Sequence, residues 1–484
     1  MAKSSPKKKS GLIDRLMESF SGLEVCEDLD LTQAYILERR KVRLQMENYP
    51  IQLNIGSDGK ALHIYPERPV KPSKKEFNAE NYIIFDPDTY FKGVSGFLRI
   101  NVGNKLILGK GKTEQKELLN LPQNIADEHL KIINDDGSLV FKVIDKESQS
   151  CVSPLLKEKQ LNRIRKWRLA KLKRLRTIFG GPIKPLASDD ALSLIKQVNK
   201  VMESEVYRVK NDAGKPGGVV KLPPEITPLL IGDLHAKAEN LLIILSQSGF
   251  LKALKKGNAS LVILGDAVHC EEKGKLEEME SSMLTMDLIF KLKLRFPQQV
   301  FYLRGNHDSF SDEIGKQGVP QGILWEKALI KTRGKSYRDE MARFYEQLPY
   351  IAYSENFIAC HAGPPIRSTS HKELINIHRH KNLMREITHN RIRRLNSPTG
   401  YFKREVKKLR KYFNLSPETP VIVGHTPLTN DDTLWERVGE IDNHYIIYGS
   451  DNQWVAVMAQ VGNHVYPLRY PVEHLIPLIN AIES

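Results

Sequence analysis

The chain has 484 residues and a formal net charge of +15, from 73 Lys and Arg against 58 Asp and Glu. Its length allows about three domains, but no apolar run approaches the roughly 18 residues of a membrane-spanning helix. The basic N-terminus lacks the apolar core of a signal peptide. The four scattered cysteines indicate neither a disulfide framework nor a zinc knuckle. These features predict an intracellular, cytoplasmic protein, and they leave export as an effector open.

The first part of the chain is predicted to contain two regions. Residues 1–40 begin with a basic run and are expected to form a basic, helical segment. Residues 41–155 change to short β-like runs separated by Gly, Asn and Asp, as in Gly96–Lys110. Alternating apolar residues bounded by turn residues predict an all-β domain here.

Part of this β-rich region resembles a forkhead-associated domain. Gly109-Lys110 stands where that family has Gly-Arg, and Ala126–His129 stands where it has Ser-x-x-His. The resemblance implies a β-sandwich in which Lys110 and His129 bind a phosphopeptide or another acidic partner. Ala126 replaces the phosphate-contacting serine, so a sandwich that has lost this binding is also compatible with the sequence. An unrelated β domain that packs on or targets the catalytic half is the alternative.

Residues 156–222 are predicted to form a basic helical linker. Ten Lys or Arg and a single acid lie between Lys157 and Arg176, and a Gly- and Pro-rich segment at 180–185 ends this helix. A second helix is predicted over Ser188–Glu205. Basic helices of this kind are most often solvated faces or connectors, so nucleic-acid binding is possible but not favoured.

Between residues 223 and 475, five strand-like apolar runs each end beside a glycine and a potential metal ligand. In open α/β sheets the ligand crevice lies at the carboxyl ends of the strands, so these side chains should meet. Helical patterns at His235–Lys256 and Glu271–Arg295 alternate with the strands, which predicts an α/β sandwich. The five runs are Thr227–Ile231, Leu261–Leu264, Val300–Leu303, Phe357–Cys360 and Val421–Val423.

The residues that follow these runs suit two metal ions. They are Asp233, His235, Asp266, Asn306, His361 and His425. Oxygen and imidazole ligands fit divalent Mn, Fe or Zn, whereas a structural zinc cage would use thiolates. Two ions about 3.5–4 Å apart can share a carboxylate and generate a bridging hydroxide that attacks a phosphoryl group. The pattern therefore predicts a two-metal centre suited to a phosphoryl group.

The motifs GDLH, GDAVH, LRGNHD, CHAG and GHTP, in this order, resemble those of the calcineurin-like metallophosphoesterases, most of all the phosphoprotein phosphatase branch. The resemblance covers about residues 225–470 and implies an αββα sandwich, preceded here by the smaller all-β domain and the helical linker. It also implies that His307 is the general acid that protonates the leaving group. The implied ligands are Asp233, His235 and Asp266 for one metal, and Asp266 (bridging), Asn306, His361 and His425 for the other.

One motif departs from the family pattern. The family's GDxVDRG reads GDAVHCE here, so His269 replaces the aspartate that orients the acid histidine, and Cys270 replaces the arginine that grips phosphate. His269 itself, Glu271 or Asp308 is then left to orient His307. A bidentate guanidinium clamp is missing at residue 270. The cations available as substitutes are Lys237, Arg367 and the cluster of Arg391, Arg393 and Arg394.

Three functions are compatible with these features. A phosphatase acting on phosphoserine, phosphothreonine or phosphotyrosine in proteins is favoured by the LRGNHD motif, the basic tract of residues 372–411 and the N-terminal module. A small-molecule hydrolase similar to the symmetrical dinucleoside tetraphosphatases would share the GNHD, HAG and late GH motifs. A binding or scaffold protein is disfavoured, because it would not need six intact metal ligands.

Overall fold

The structure is a computed structural model that describes residues 26–38, 40–56, 60–66, 81–87, 98–111, 119–145, 149–155, 158–247, 249–393, 399–429, 432–461 and 464–482. Residues 1–25 of the basic segment predicted over residues 1–40 lie outside these ranges, as does Arg394. The chain divides into two compact units, with the boundary near residue 158. Within the described ranges, no helix combines the length and apolar character needed to cross a membrane.

In its described residues the N-terminal unit is β-rich, as predicted. Its buried residues follow the two-residue period of a strand, as in Ile51–Ile55, where every second side chain is buried. Its strands are β1 Cys26–Leu29, β2 Tyr35–Leu37, β3 Lys41–Leu44, β4 Ile51–Ile55, β5 Lys60–Pro66, β6 Tyr82–Phe85, β7 Leu98–Ile100, β8 Lys105–Leu108, β9 Leu130–Asp135, β10 Ser138–Val143 and β11 Ser150–Pro154. They form sheets of order β1-β3-β10-β9-β8 and β2-β11-β4-β5-β6-β7. Because β1 and β2 belong to these sheets, the β unit begins before residue 41.

The two segments that carry the forkhead-associated resemblance lie side by side. The Lys110 N–H donates to the Ala126 carbonyl oxygen at 3.1 Å. Lys110 is exposed, whereas His129 is fully buried and its Nε2 lies 2.7 Å from Ser150 Oγ on β11. His129 therefore supports the interior of the unit, and Lys110 is the accessible member of the predicted pair. The resemblance to a forkhead-associated domain stays a prediction.

The second unit contains two further sheets, and all five predicted runs form strands in them. The strands are β12 Arg208–Lys210, β13 Pro216–Lys221, β14 Thr227–Ile231, β15 Ala259–Ile263, β16 Val300–Tyr302, β17 Ile351–Ser354, β18 Phe357–Cys360, β19 Val421–Val423, β20 Leu434–Glu436, β21 His444–Ile447, β22 Trp454–Val461 and β23 His464–Pro471. One sheet has the order β12-β13-β17-β18-β19-β21-β20 and the other β16-β15-β14-β22-β23. Strands β14, β15 and β16 are parallel neighbours, as are β18, β19 and β21.

Helices cover the outer faces of these sheets. They are α1 Glu158–Ile178, α2 Ser188–Met202, α3 Ala238–Leu245, α4 Phe250–Lys256, α5 Glu280–Arg295, α6 Gln321–Arg333, α7 Lys335–Gln347, α8 His371–Ile375, α9 Lys381–His389, α10 Lys403–Tyr412 and α11 Leu475–Asn480. Helices α4 and α5 contact β15 and β16, while buried residues of α8, α9 and α10 pack on the seven-stranded sheet. Between the sheets, Leu230 and Val262 of one meet Ala359 and Ile422 of the other. The predicted αββα sandwich is therefore confirmed.

The segment predicted as a linker is built into the catalytic unit instead. Strand β13 pairs with β17 in the seven-stranded sheet. Helix α1 buries Leu175, Phe179 follows it into the core, and Arg176 Nη1 donates to the Ile479 carbonyl at 3.1 Å. The sequence of a basic helix with a narrow apolar stripe indicates a connector, because it does not show that the helix contacts a segment far away in the chain. The boundary predicted at residue 222 therefore moves to about residue 158.

Two predicted helices are shorter than their apolar patterns indicated. The pattern at His235–Lys256 forms α3 and α4, separated at Gly249, whose φ is 78°. The pattern at Glu271–Arg295 becomes helical only at Glu280, after a turn at Gly274 with φ 83°. Positive φ angles are accessible to glycine and end a helical path. As a result, Glu271 lies on an irregular segment rather than on a helix.

Candidate metal centre

The turns after the central strands have strained backbone. His235, Asp266 and His425 have φ angles of 39°, 50° and 66°. Non-glycine residues rarely adopt such left-handed conformations, and strain of this kind concentrates at functional sites. Each of these residues follows a buried strand closely, so the sequence pattern of an apolar run ending in Gly-Asp or Gly-His marks these turns correctly.

Two glycines allow the carboxylates to approach the neighbouring backbone. A Cβ on Gly305 would lie 2.1 Å from Asp266 Oδ1, and a Cβ on Gly424 would lie 2.3 Å from Asp233 Oδ1. Any side chain at these two positions would therefore displace a carboxylate. This close approach explains why glycine precedes Asn306 and His425 in the two motifs.

The six predicted ligands lie together. The donor atoms of Asp233, Asp266, His361 and His425 are all within 4.8 Å of one another. Asn306 Oδ1 is 3.0 Å from His361 Nε2, which in turn is 3.2 Å from Asp266 Oδ2. His235 Nε2 is 3.8 Å from Asp233 Oδ2. Residues from five strand ends, distant in sequence, thus form one polar cluster.

Backbone carbonyls orient two of the histidines. His361 Nδ1 lies 2.8 Å from the Leu264 carbonyl oxygen, and His235 Nδ1 lies 3.3 Å from that of Val268. A ring nitrogen that donates to a carbonyl fixes the tautomer and leaves the opposite nitrogen as a ligand. These contacts orient both rings with Nε2 toward the cluster.

The electrostatics of the cluster fit divalent cations. Burial raises the pKa of Asp233; burial would also raise that of Asp266, but the charges of His361 and His307 hold the Asp266 pKa well below its usual range. Asp266 Oδ2 is buried and accepts no well-directed hydrogen bond within the described part of the chain, although His361 Nε2 lies 3.2 Å away. Buried carboxylates are costly unless a cation compensates them. The donor set and its surroundings therefore fit metal ions.

The predicted contact between His269 and His307 is present. Their ring Nδ1 atoms are 2.9 Å apart. The backbone N–H of His307 donates to Asp266 Oδ1 at 2.7 Å. Burial, followed by the charge of His307, holds the pKa of His269 well below its usual range. A neutral His269 can accept a hydrogen bond from His307, which positions the His307 ring beside the metal ligands.

Asp308 supports the turn and not His307, the predicted general acid. Its Oδ1 accepts from the Tyr302 hydroxyl at 2.7 Å, and its Oδ2 accepts from the Gly305 N–H at 2.8 Å. The side chain is fully buried. These bonds hold the Gly305–Asp308 turn in shape, so we assign Asp308 to this turn and not to orienting His307.

The cations predicted to replace the missing arginine at residue 270 differ in their contacts. Cys270 is buried and carries no positive charge, and its carbonyl oxygen accepts from Gln321 Nε2 at 2.9 Å. Arg391 Nη1 donates to Thr426 Oγ1 at 3.2 Å, next to the predicted ligand His425. Arg367 instead pairs with Glu386 at 3.0 Å. Of the predicted arginines that the structure describes, Arg391 is thus the one bonded beside a ligand.

A cavity of about 240 Å³ opens beside His235, and it contains residues that the sequence did not single out. Lys316 sits on a tight turn through Gln317 and Gly318, where it pairs with Glu271 at 2.8 Å. No sequence signal marks Lys316. Tyr448 follows strand β21 and precedes a glycine, which is the same signal that identified the ligands, so it could have been found.

Comparison with known proteins agrees with this site. Residues 226–464 match the profile of the calcineurin-like phosphoesterases, a stretch that begins just before β14 and ends at the start of β23. The chain belongs to this family through that region, and its catalytic unit is a metallophosphoesterase, a hydrolase.

Two kinds of solved structure are similar to the chain. One is a protein serine/threonine phosphatase from Saccharomyces cerevisiae with similarity to human phosphatase PP5, at 16% identity over 60% of this chain and 91% of that chain, with a TM-score of 0.43. The other is a cold-active protein-tyrosine phosphatase of a psychrophilic Shewanella species, at 13% identity over 53% and 82%, with a TM-score of 0.34.

Proposed function

We propose that this protein is a metal-dependent phosphatase that removes phosphate from phosphoserine, phosphothreonine or phosphotyrosine in proteins. The proposed metal ligands are the six clustered residues, with Asp266 shared between two ions. Such ions, when bound, neutralise the phosphoryl group and activate the attacking water. The role of the chain is to hold them, to place the substrate and to protonate the leaving group.

The observation that carries the choice of a monoester is the charge of the cavity beside His235. Its volume, about 240 Å³, is below the roughly 300–1,000 Å³ of pockets for larger small molecules. Its charged wall residues are the acids Glu271, Glu272, Asp432 and Asp451 and the lysines Lys237 and Lys316. A dinucleoside polyphosphate would place further phosphates against this net negative wall. A single phosphorylated side chain avoids that repulsion.

Exposed basic residues that follow Arg391 in the sequence support a protein substrate. Arg391 reaches Thr426, and Arg393 and the α10 residues Lys403, Arg404 and Lys407 are exposed. Clustered positive charge steers negatively charged partners and raises their association rate. A phosphorylated, acidic protein segment gains from this surface, whereas a small phosphate ester does not need it.

We assign the leaving-group proton to His307. Its Nδ1 lies 2.9 Å from His269 Nδ1. The other ring nitrogen, Nε2, is therefore the one we assign to the reacting phosphate. The adjoining Asn306 and the bond from the His307 N–H to Asp266 keep the ring next to the proposed ligands. A protonated His307 can then donate from Nε2 to the departing alkoxide or phenoxide.

A panel of substrates tests the proposed function. Purified protein with Mn²⁺ is assayed on a phosphoserine peptide, a phosphotyrosine peptide, a dinucleoside polyphosphate and a bis-aryl phosphodiester. We expect kcat/KM for one of the peptides to exceed that for the dinucleoside polyphosphate by at least about 10²-fold, equivalent to roughly 3 kcal/mol of transition-state discrimination. The opposite order would replace the proposal with a small-molecule hydrolase.

The pairing of two histidines has a consequence for pH dependence. Burial lowers the pKa of His307, and a neutral His269 supplies no opposite charge to raise it. A general acid acts only when protonated, so kcat falls as pH rises through this pKa. We expect His269→Asp to raise the pKa of His307 and to move this alkaline limb upward by roughly 1–3 pH units.

The measurement is kcat against pH on a phosphoserine peptide. His269→Asn is the matched control, because its amide can bond to His307 without adding charge, and it should leave the limb within about half a pH unit of the wild type. An unmoved or lowered limb in His269→Asp would show that His269 does not tune His307.

A further inference from the structure

Glu271 is a partly buried carboxylate that does not belong to the set of six proposed ligands. It follows Cys270 on the irregular segment before α5, and its side chain is 22% exposed at the edge of the cluster. Its Oε2 lies 3.8 Å from His235 Nε2, the same distance that separates this nitrogen from Asp233 Oδ2. Glu271 therefore stands relative to His235 as a proposed ligand does.

These separations suit ligands of a common ion. Two donor atoms that are each about 2.1 Å from a metal lie roughly 3.0 Å apart at a right angle and up to about 4.2 Å apart when opposite. The 3.8 Å between Glu271 Oε2 and His235 Nε2 falls inside this range. The ligand-type atoms of His235, Glu271 and His307 also all lie within 4.8 Å of one another.

The partners of Glu271 resemble the outer support of a ligating carboxylate. The Tyr448 hydroxyl donates to Oε2 at 2.8 Å, and Lys316 Nζ lies 2.8 Å from the same oxygen. The backbone of Tyr448 pairs with that of Asp233, so Tyr448 contacts both Glu271 and the residue that carries the Asp233 carboxylate. Ligating carboxylates are characteristically held by such hydrogen bonds. Burial would raise the pKa of Glu271, but His235, Lys316 and Tyr448 lower it to about 2, so the carboxylate is ionised at neutral pH.

We propose that Glu271 is an additional ligand of the first metal, the ion assigned to Asp233, His235 and Asp266. This inference rests on the proposed metal-dependent function. It gives the first ion three carboxylates and one imidazole. Oxygen-rich sites favour Mn²⁺, whereas imidazole- and thiolate-rich sites favour Zn²⁺. The turn that lacks the phosphate-gripping arginine thus supplies a metal ligand in its place.

The test measures metal binding directly. Metal-depleted wild type, Glu271→Gln and the control Glu277→Gln are titrated with Mn²⁺, and free Mn²⁺ is followed by its electron paramagnetic resonance signal. Glu277 is an exposed carboxylate on the same segment. We expect two ions per wild-type chain, a loss of at least about tenfold in affinity for one of them in Glu271→Gln, and no change in Glu277→Gln. The preference for Mn²⁺ over Zn²⁺ at that site should fall as well.

A second variant covers the case in which Glu271→Gln does not fold. Glu271→Asp keeps the charge but withdraws the oxygens by one methylene, and it should also weaken one Mn²⁺ site while circular dichroism matches the wild type. Wild-type Mn²⁺ affinities in every folded Glu271 variant would overturn the proposal, and the proposed function would stand if the wild type still binds two ions and releases phosphate. The proposal would also be overturned if the wild type bound three ions and the Glu271 variants lost only the third, because Glu271 would then not be a ligand of the first metal. A wild type that binds no metal would remove both proposals together.

Discussion

Asp266→Asn should abolish phosphatase turnover while leaving the fold intact. Asp266 is the carboxylate assigned to both ions, its Oδ2 accepts no well-directed hydrogen bond from the described residues, and its Oδ1 accepts from the His307 N–H. Loss of one hydrogen-bond donor to a transition state typically costs 10²–10³-fold in kcat. Removing a shared metal ligand should cost more, so we expect a loss of about 10³-fold or greater, together with weaker binding of both ions.

The measurements for this variant are kcat on p-nitrophenyl phosphate and metal content after dialysis. Glu277→Gln, which neutralises an exposed carboxylate in the same unit, is the control and should match the wild type. Circular dichroism should be unchanged, because an amide nearly preserves the shape of the carboxyl group. Near-wild-type activity with an unchanged metal content would reject the assignment of Asp266 as a shared ligand.

His307→Ala should have the second-largest effect, and its size should depend on the leaving group. An alkoxide leaves poorly without a proton, so we expect a loss of roughly 10²–10⁴-fold on a phosphoserine peptide. A nitrophenolate needs almost no protonation, and its loss should be less than about tenfold. The difference between the two substrates is what identifies an acid, since a damaged site would slow both.

The comparison for this variant is made at one pH on both substrates. His474→Ala serves as the control because its side chain is 86% exposed and it stands at the start of the C-terminal helix α11. Equal losses on the alkyl and aryl substrates would show that His307 acts in binding or in packing and not as the proton donor.

The clustering of the proposed ligands could be predicted because each of them follows a local sequence pattern. Asp233 and His425 lie within two residues of a buried strand and beside a glycine, and parallel strands bring their carboxyl ends to the same rim. The αββα arrangement follows from the same strand and helix alternation. Short-range sequence information is sufficient for both features.

Other features depend on contacts that are remote in sequence. Helix α1 was predicted as a linker because the sequence does not show its remote contacts, such as the bond from Arg176 to the Ile479 carbonyl oxygen 303 residues away. Glu271 was predicted to lie on a helix because the apolar residues that follow it have helical spacing. The structure instead has a turn at Gly274, and Glu271 lies before this turn with its carboxylate close to His235. Lys316 could not be found, because a lysine in an irregular segment carries no periodic signal.

The most direct test of a two-metal phosphatase is activity against metal occupancy. Metal-depleted protein is titrated with Mn²⁺ while phosphate release from a phosphoserine or phosphotyrosine peptide and bound metal are measured in the same samples. We predict no turnover without metal and a rise that reaches its plateau only when two ions are bound per chain. Full activity in the metal-depleted protein, or a plateau with fewer than two ions bound, would contradict a centre built on Asp233, Asp266 and His361.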